Sequence, residues 1–274
     1  MDDIDLLIYG HIGFDIIEQD GVANKVPGGA AFYACYGATV SGSRIGLVSV
    51  IGSDFAESEF APLSLNSRGL IFRDGQSARF WQGTTQQNAA QILEGRLSVD
   101  LGVCEGLKPE LIPLDFLNAK FALICTAPPQ QQAEVLRWLR LHNFHGRIAV
   151  DSIGEYIEEF SGLILEWGTS LNYIFLNQEE FGRLSSFPDN KITLIVKCGA
   201  AGAMIRTAGI WVTHDAPRVN SIVSAVGAGD ILAGLFLGKV ALGHDANTAL
   251  IAGIRVASES VTRMGVGHVL HPSP

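Results

Sequence analysis

The chain has 274 residues, of which 47% are hydrophobic and 17% charged, enough apolar material for one large buried core and too much for a disordered chain. The formal net charge is −9, and the 19 Lys and Arg residues are scattered without a basic stripe, which excludes a nucleic-acid-binding surface of the usual kind. An acidic protein can still bind phosphate, because backbone N–H groups and a bound cation neutralise it locally.

Taken in chain order, Asp5 to Gly10 is a short apolar run that predicts a buried parallel strand. Gly10-His-Ile-Gly-Phe-Asp15 follows it and places an acid just past its C-terminal end. Pro27-Gly28-Gly29-Ala30-Ala31 then opens a small-residue helix over 30–41. Arg44 to Ile51 predicts a second buried strand. From about Leu70 to Leu101 the pattern changes: polar and apolar residues alternate between Gly75, Gly83 and Gly95. This predicts a small antiparallel sheet with one wet face, projecting as a lid formed by about 14–26 and 70–101.

The α/β rhythm then resumes. Strands are expected at Phe121–Cys125, Arg147–Asp151, Tyr173–Leu176 and Thr193–Lys197, with helices at Pro129–His142, Tyr156–Glu166 and Gln178–Leu184 between them. A hairpin (Ala203–Arg206, Gly209–Thr213) and two helices, Ala228–Leu242 and Ala246–Arg263, close the chain. Strands alternating with helices imply one doubly wound, mostly parallel sheet spanning 1–274 as a single α/β domain. Ligands bind such sheets at the C-terminal strand ends.

Four segments carry candidate chemistry. In Ser224-Ala-Val-Gly227-Ala228-Gly229-Asp230, small residues precede an apolar helix, so Gly227, Ala228 and Gly229 lie at its positive N-terminus and suit an anion. Asp230 in the first turn is either a general base for a hydroxyl nucleophile or an acid that complements the helix dipole. Asp15 with Gly28 and Gly29 could bind acceptor hydroxyls, or be a loop acid and a turn. Asn177 and Glu180, three apart at a helix start, could hold a hydrated Mg²⁺, cap the helix, or do both. Lys197, Gly199 and Gly202 form a strand end and glycine turn that could contact a nucleotide.

These pieces in this order resemble the ribokinase-like (PfkB) carbohydrate kinases over nearly the whole chain. The resemblance implies an ATP- and Mg²⁺-dependent kinase acting on a small hydroxylated acceptor. Asp230 would be the base and Gly227, Ala228 and Gly229 the anion hole. Asp15, Gly28 and Gly29 would bind the acceptor, Asn177 and Glu180 would serve the Mg²⁺-phosphate region, and the lid would exclude water and could pair two copies as a homodimer.

Three departures stand out. Ser224-Ala225-Val226 replaces the family's D-T-x and counts against a monovalent-cation site. Tyr33 replaces Asn at the fifth position of G-G-x-x-x-N and resembles the inositol-kinase branch. Asp151-Ser-Ile-Gly-Glu155 lacks the Arg of D-x-N-x-R. The acceptor expected is therefore a sugar, polyol or inositol-like compound, with a nucleoside kinase or a non-catalytic binding relative as alternatives. A dinucleotide oxidoreductase is disfavoured, because Gly10-His-Ile-Gly13 lacks the G-x-G-x-x-G fingerprint. Cys35, Cys104, Cys125 and Cys198 form no C-x-x-C pair and read as reduced core residues. With no signal-like N-terminus and no long apolar span, a cytoplasmic protein that does not engage a membrane is expected.

Overall fold

The computed structural model describes residues 4–19, 21–82, 99–152, 154–168, 170–184 and 191–270. Its framework is a nine-stranded sheet ordered β13-β12-β11-β10-β9-β8-β1-β4-β5. The strands are β1 (Leu6–Tyr9), β4 (Ile45–Gly52), β5 (Leu65–Arg73), β8 (Phe121–Ile124), β9 (Arg147–Asp151), β10 (Tyr173–Asn177), β11 (Thr193–Lys197), β12 (Ala203–Thr207) and β13 (Ile210–His214). Every pair from β5 to β11 is parallel, and the β12–β13 hairpin adds an antiparallel edge.

Helices cover both faces. α1 (Ala30–Ser41), α5 (Ala228–Ala241) and α6 (Ala246–Ser260) pack on one face; α2 (Pro129–Leu141) and α3 (Ile157–Trp167) pack on the other. β1 shows why its sequence is uniformly apolar: Leu6 and Ile8 join the first core, Leu7 and Tyr9 the second. α4 (Gln178–Arg183) follows β10 directly, and α7 (Gly267–Leu270) ends the described chain. No helix among the described residues is long and apolar enough to cross a membrane.

α1 and α5 touch backbone to backbone. A β-carbon at Gly37 would lie 2.0 Å from the Ile231 carbonyl oxygen, and one at Gly234 the same distance from that of Ala34. This close approach brings Gly227, before the N-terminus of α5, against the ring of Tyr33 in the first turn of α1. Both helices bury almost every position, so neither shows a polar stripe.

A second sheet is ordered β3-β2-β6-β7, with β2 (Gly13–Gln19), β3 (Val22–Gly28), β6 (Ala78–Gln82) and β7 (Val99–Asp100). β2–β3 and β6–β7 are antiparallel, whereas β2–β6 is parallel. Two expectations are corrected. Leu70–Phe72 belongs to β5, parallel to β4 at the edge of the large sheet, and not to the small one. As the edge strand it is only partly covered, with Gly69 and Leu70 buried and Ser67, Arg68, Phe72 and Arg73 exposed. Asp15 lies within β2 and is buried, and is not a loop acid. Residues 83–98, including Gly83, Gly95 and the Ala90–Leu93 part of the expected lid, lie outside the described residues.

Candidate active site

The C-terminal ends of β9, β10 and β11 present Asp151, Asn177 and Lys197 side by side, and the N-terminus of α5 comes up to them. Gly227 caps α5 with φ 76°, left-handed backbone that favours glycine. It has a steric duty as well, since a β-carbon there would lie 2.3 Å from Tyr33 Cγ. Ala228 and Gly229 begin the helix, so their N–H groups are among those with no intrahelical acceptor.

Asp230 stands in the first turn, partly exposed, with its carboxyl among other charges. Burial pushes its pKa up to about 8; the charges of Asp151 and Asp15 add to the rise and Lys197 opposes it. A carboxyl group poised near neutrality, at a helix N-terminus, can take a proton from a hydroxyl.

Lys197 donates to both oxygens of Asp151, at 2.7 and 2.9 Å. Burial disfavours the ammonium, but the charges of Asp151 and Asp230 outweigh it and leave the Lys197 pKa raised. Burial likewise raises Asp151, to about 6, against the pull of Lys197. A β-carbon at Gly229 would lie 3.3 Å from Lys197 Nζ, so the ammonium touches the turn that holds the anion-binding N–H groups. In the sequence Asp151 stands out only as the acid that opens Asp151-Ser-Ile-Gly-Glu155. Its signal was positional: an acid at the C-terminal end of a buried parallel strand.

Asn177 and Glu180 form a reciprocal capping box. Asn177 Oδ1 accepts from the Glu180 N–H at 2.8 Å, and Glu180 Oε2 accepts from the Asn177 N–H at 2.7 Å. Glu180 also accepts from the Asn177 side-chain amide and, at 2.6 Å, from the Ser152 hydroxyl. With three donors already engaged, the buried carboxylate suits a metal-bound water better than a bare ion. That fits Mg²⁺, which keeps several waters and leans on substrate phosphates. Among the described residues no group of three His, Cys, Asp or Glu could enclose a metal.

The small sheet supplies the other wall. Tyr33 donates a short hydrogen bond to Asp15 Oδ2, and the Gly29 N–H reaches the same oxygen at 3.4 Å. Burial, then the Asp15 charge, pushes the Tyr33 phenol far above its ordinary value, so it stays a donor. Gly28 is required by contact: a β-carbon there would fall 1.9 Å from Asp15 Oδ2. Asp15 and Phe80 are register partners on β2 and β6, so their side chains share one face of the sheet. The Phe80 ring also borders Gly29, whose β-carbon would lie 3.2 Å from Cε2.

The expected residues thus fall into two groups joined by Tyr33. Asp15, Gly28 and Gly29 lie on one side of it, and Gly227 to Asp230 with Lys197, Asn177 and Glu180 on the other. Gly199 follows Lys197 with open space around it, whereas Gly202 is needed for the hairpin, since a β-carbon there would lie 2.0 Å from the His214 carbonyl oxygen. Arg79 of β6 pairs with Asp54 at 3.6 Å. His11 is buried and its pKa is pushed down to about 4 by burial, so it is neutral.

Comparison with known proteins agrees with this geometry. The chain is 25% identical to the cytidine kinase of Thermococcus kodakarensis over 96% of its own length and 98% of that protein's. It is 24% identical to the nucleoside kinase of Methanocaldococcus jannaschii, covering 89% of this chain and 82% of that one. Its fold matches, with a TM-score of 0.75 and 19% identity, a structure described as that of a ribokinase II from E. coli in complex with ATP and Mg²⁺, covering 96% and 94% of the two chains. The model of the pfkB family carbohydrate kinases matches residues 3–272. The chain therefore belongs to the pfkB family of carbohydrate kinases, phosphotransferases that act on an alcohol group.

Proposed function

We propose that this enzyme transfers the γ-phosphoryl group of ATP, as its Mg²⁺ complex, to a hydroxyl of a nucleoside. The observation that carries the nucleoside reading is the pairing of Asp15 with Phe80 on one sheet face. A buried carboxylate accepts hydrogen bonds from sugar hydroxyls, and an aromatic ring beside it offers a flat apolar surface to a heterocyclic base. The two relatives named as cytidine and nucleoside kinases support the same choice.

In this reading Asp230 takes the hydroxyl proton as that oxygen attacks the γ-phosphorus. The first-turn N–H groups at Gly227, Ala228 and Gly229 face the charge that spreads over the transferring group. Lys197, Gly199 and Gly202 border the nucleotide at the end of β11. Asn177 and Glu180 would orient waters of the Mg²⁺, which neutralises phosphate charge. Asp15, Gly28 and Gly29 seat the acceptor, with Tyr33 fixing the orientation of Asp15. The small sheet would close over them and exclude water that would otherwise compete as acceptor.

A second reading keeps the chemistry and changes the acceptor to a free sugar, polyol or inositol. Tyr33 favours it, because a phenol occupies the place where an amide is common. ADP release across cytidine, adenosine, inosine, ribose, fructose and myo-inositol separates the two. Nucleosides should give kcat/KM at least tenfold above the rest. Turnover confined to the free sugars or inositol would reject the nucleoside reading, and no turnover with any acceptor would favour a binding-only relative.

A further inference from the structure

Building on the phosphotransferase reading, we propose that Asp151 is a positioning residue: it holds the Lys197 ammonium against the Gly229 turn, where that charge keeps Asp230 in its anionic, proton-accepting form. Lys197 ends β11 and Asp151 ends β9, with β10 between them. Adjacent strands lie about 4.8 Å apart, so the lysine stem must reach across the end of β10, over its register partner Asn177, to meet the carboxylate. Both oxygens of Asp151 grip the ammonium, and the pair is largely shielded, with side-chain exposures of 17% and 2%. Immobilising a long side chain and removing two charges from water is a poor way to stabilise a fold. The arrangement has a better rationale in where it puts the charge.

That place is crowded with negative groups. Asp230 is faced by Asp15 from β2, Tyr33 from α1, Cys125 after β8, Asp151 from β9 and Lys197 from β11, with Glu180 of α4 behind Asp151 and Lys197. Among these, Lys197 carries the positive charge. Its Nζ lies against Gly229, the residue before the base, so its effect on Asp230 is direct. Asp151 contributes in two opposed ways: it fixes the cation and adds a negative charge of its own. The pair therefore acts as a unit, and loss of one member is worse than loss of both.

This asymmetry is the test. In pH profiles of kcat/KM, Lys197→Met should move the acid limb up by about one pH unit or more, roughly a tenfold loss at pH 7 that is recovered in alkali. Asp151→Asn should move it up as well, by less, because the ammonium is no longer held at the Gly229 turn; a downward move would show that the carboxylate acts only through its own charge and overturns the proposal. The double variant, which removes one charge of each sign, should return the limb to within about half a unit of wild type. A uniform loss at every pH, or a double variant whose limb matches Lys197→Met, overturns the proposal. The same titration can be read without turnover: the pH at which the thermal gain from Asp230→Asn levels off should rise in the Lys197→Met background. An unchanged pH there rejects the pair's role even if no acceptor is ever turned over, whereas an inactive wild type with the thermal shift present rejects only the phosphotransferase reading. If Lys197→Met does not fold, the double variant carries the thermal test, with a pH near that of wild type expected and a displacement of a full unit overturning the proposal.

Discussion

Replacing Asp230 with Asn preserves the size of the side chain and removes one ionisable proton. In the folded protein burial and the neighbouring carboxylates raise this group from 3.8 to about 8. Because the folded pKa is the higher one, the folded state binds the proton more tightly than the unfolded chain does. The stabilisation is fully present below pH 3.8 and is lost as pH rises through 8. Each pH unit corresponds to about 1.4 kcal/mol, so the full displacement would be on the order of 5 kcal/mol. Asp230 is partly exposed, and solvent screening brings the expected cost of its charge to roughly 2–3 kcal/mol. Asn carries no such cost. For a chain of this length about 2 °C of melting temperature accompanies each kcal/mol. Asp230→Asn should therefore melt about 5 °C above wild type at pH 9 and within about 1 °C of it at about pH 3.5, below the unfolded value, measured by circular dichroism at both pH values. A difference that is the same at both pH values, or a variant less stable than wild type at pH 9, would refute the electrostatic reasoning.

Two further outcomes follow from packing and charge. Gly227→Ala places a β-carbon against the Tyr33 ring at φ 76°; the backbone costs about 1–2 kcal/mol and the overlap about 1–3 more. Gly243→Ala, at φ 91° with nothing within 4 Å, should cost only the backbone share, and equal urea midpoints for the two variants would show that Tyr33 is not pressed against Gly227. Asp5, buried at the start of β1, is held well below the usual carboxylate range by Arg44, with Lys120 assisting. Its stabilisation is present above the unfolded value and lost as pH falls below it. Asp5→Asn should lose about 2 kcal/mol at pH 7 and progressively less as pH falls below 3.8, read from urea midpoints; a difference that stays constant with pH would assign the loss to packing instead.

Most of the large sheet was legible from the sequence because buried parallel strands are short, apolar and bounded by turns. Thr193–Lys197 and Arg147–Asp151 have the expected limits, and the helix after Gly227 begins at Ala228 as expected. β5 is hard to read for a physical reason: it is an edge strand with exposed residues on either side of Gly69 and Leu70, so it lacks the continuous apolar run of the buried parallel strands. From the sequence Asp15 reads either as a substrate-binding acid or as a loop acid; the structure puts it inside β2, where Gly13 is needed for contact. A β-carbon there would lie 2.1 Å from the Ala78 carbonyl oxygen, where β2 and β6 meet. The Asp151–Lys197 pair could not be read at all. Its members are 46 residues apart and sit on strands that are not neighbours, so no local spacing encodes it. The Asn177–Glu180 pair, three residues apart on one helix start, was visible for the opposite reason.

The role of Asp230 as the base is tested most directly by turnover. With an acceptor identified from ADP release, wild type and Asp230→Asn should be compared at saturating ATP and Mg²⁺, with nucleotide affinity measured separately. The variant should bind ATP within a few-fold of wild type while kcat falls by ~10²–10⁴. A kcat within twofold of wild type would mean that another group takes the hydroxyl proton.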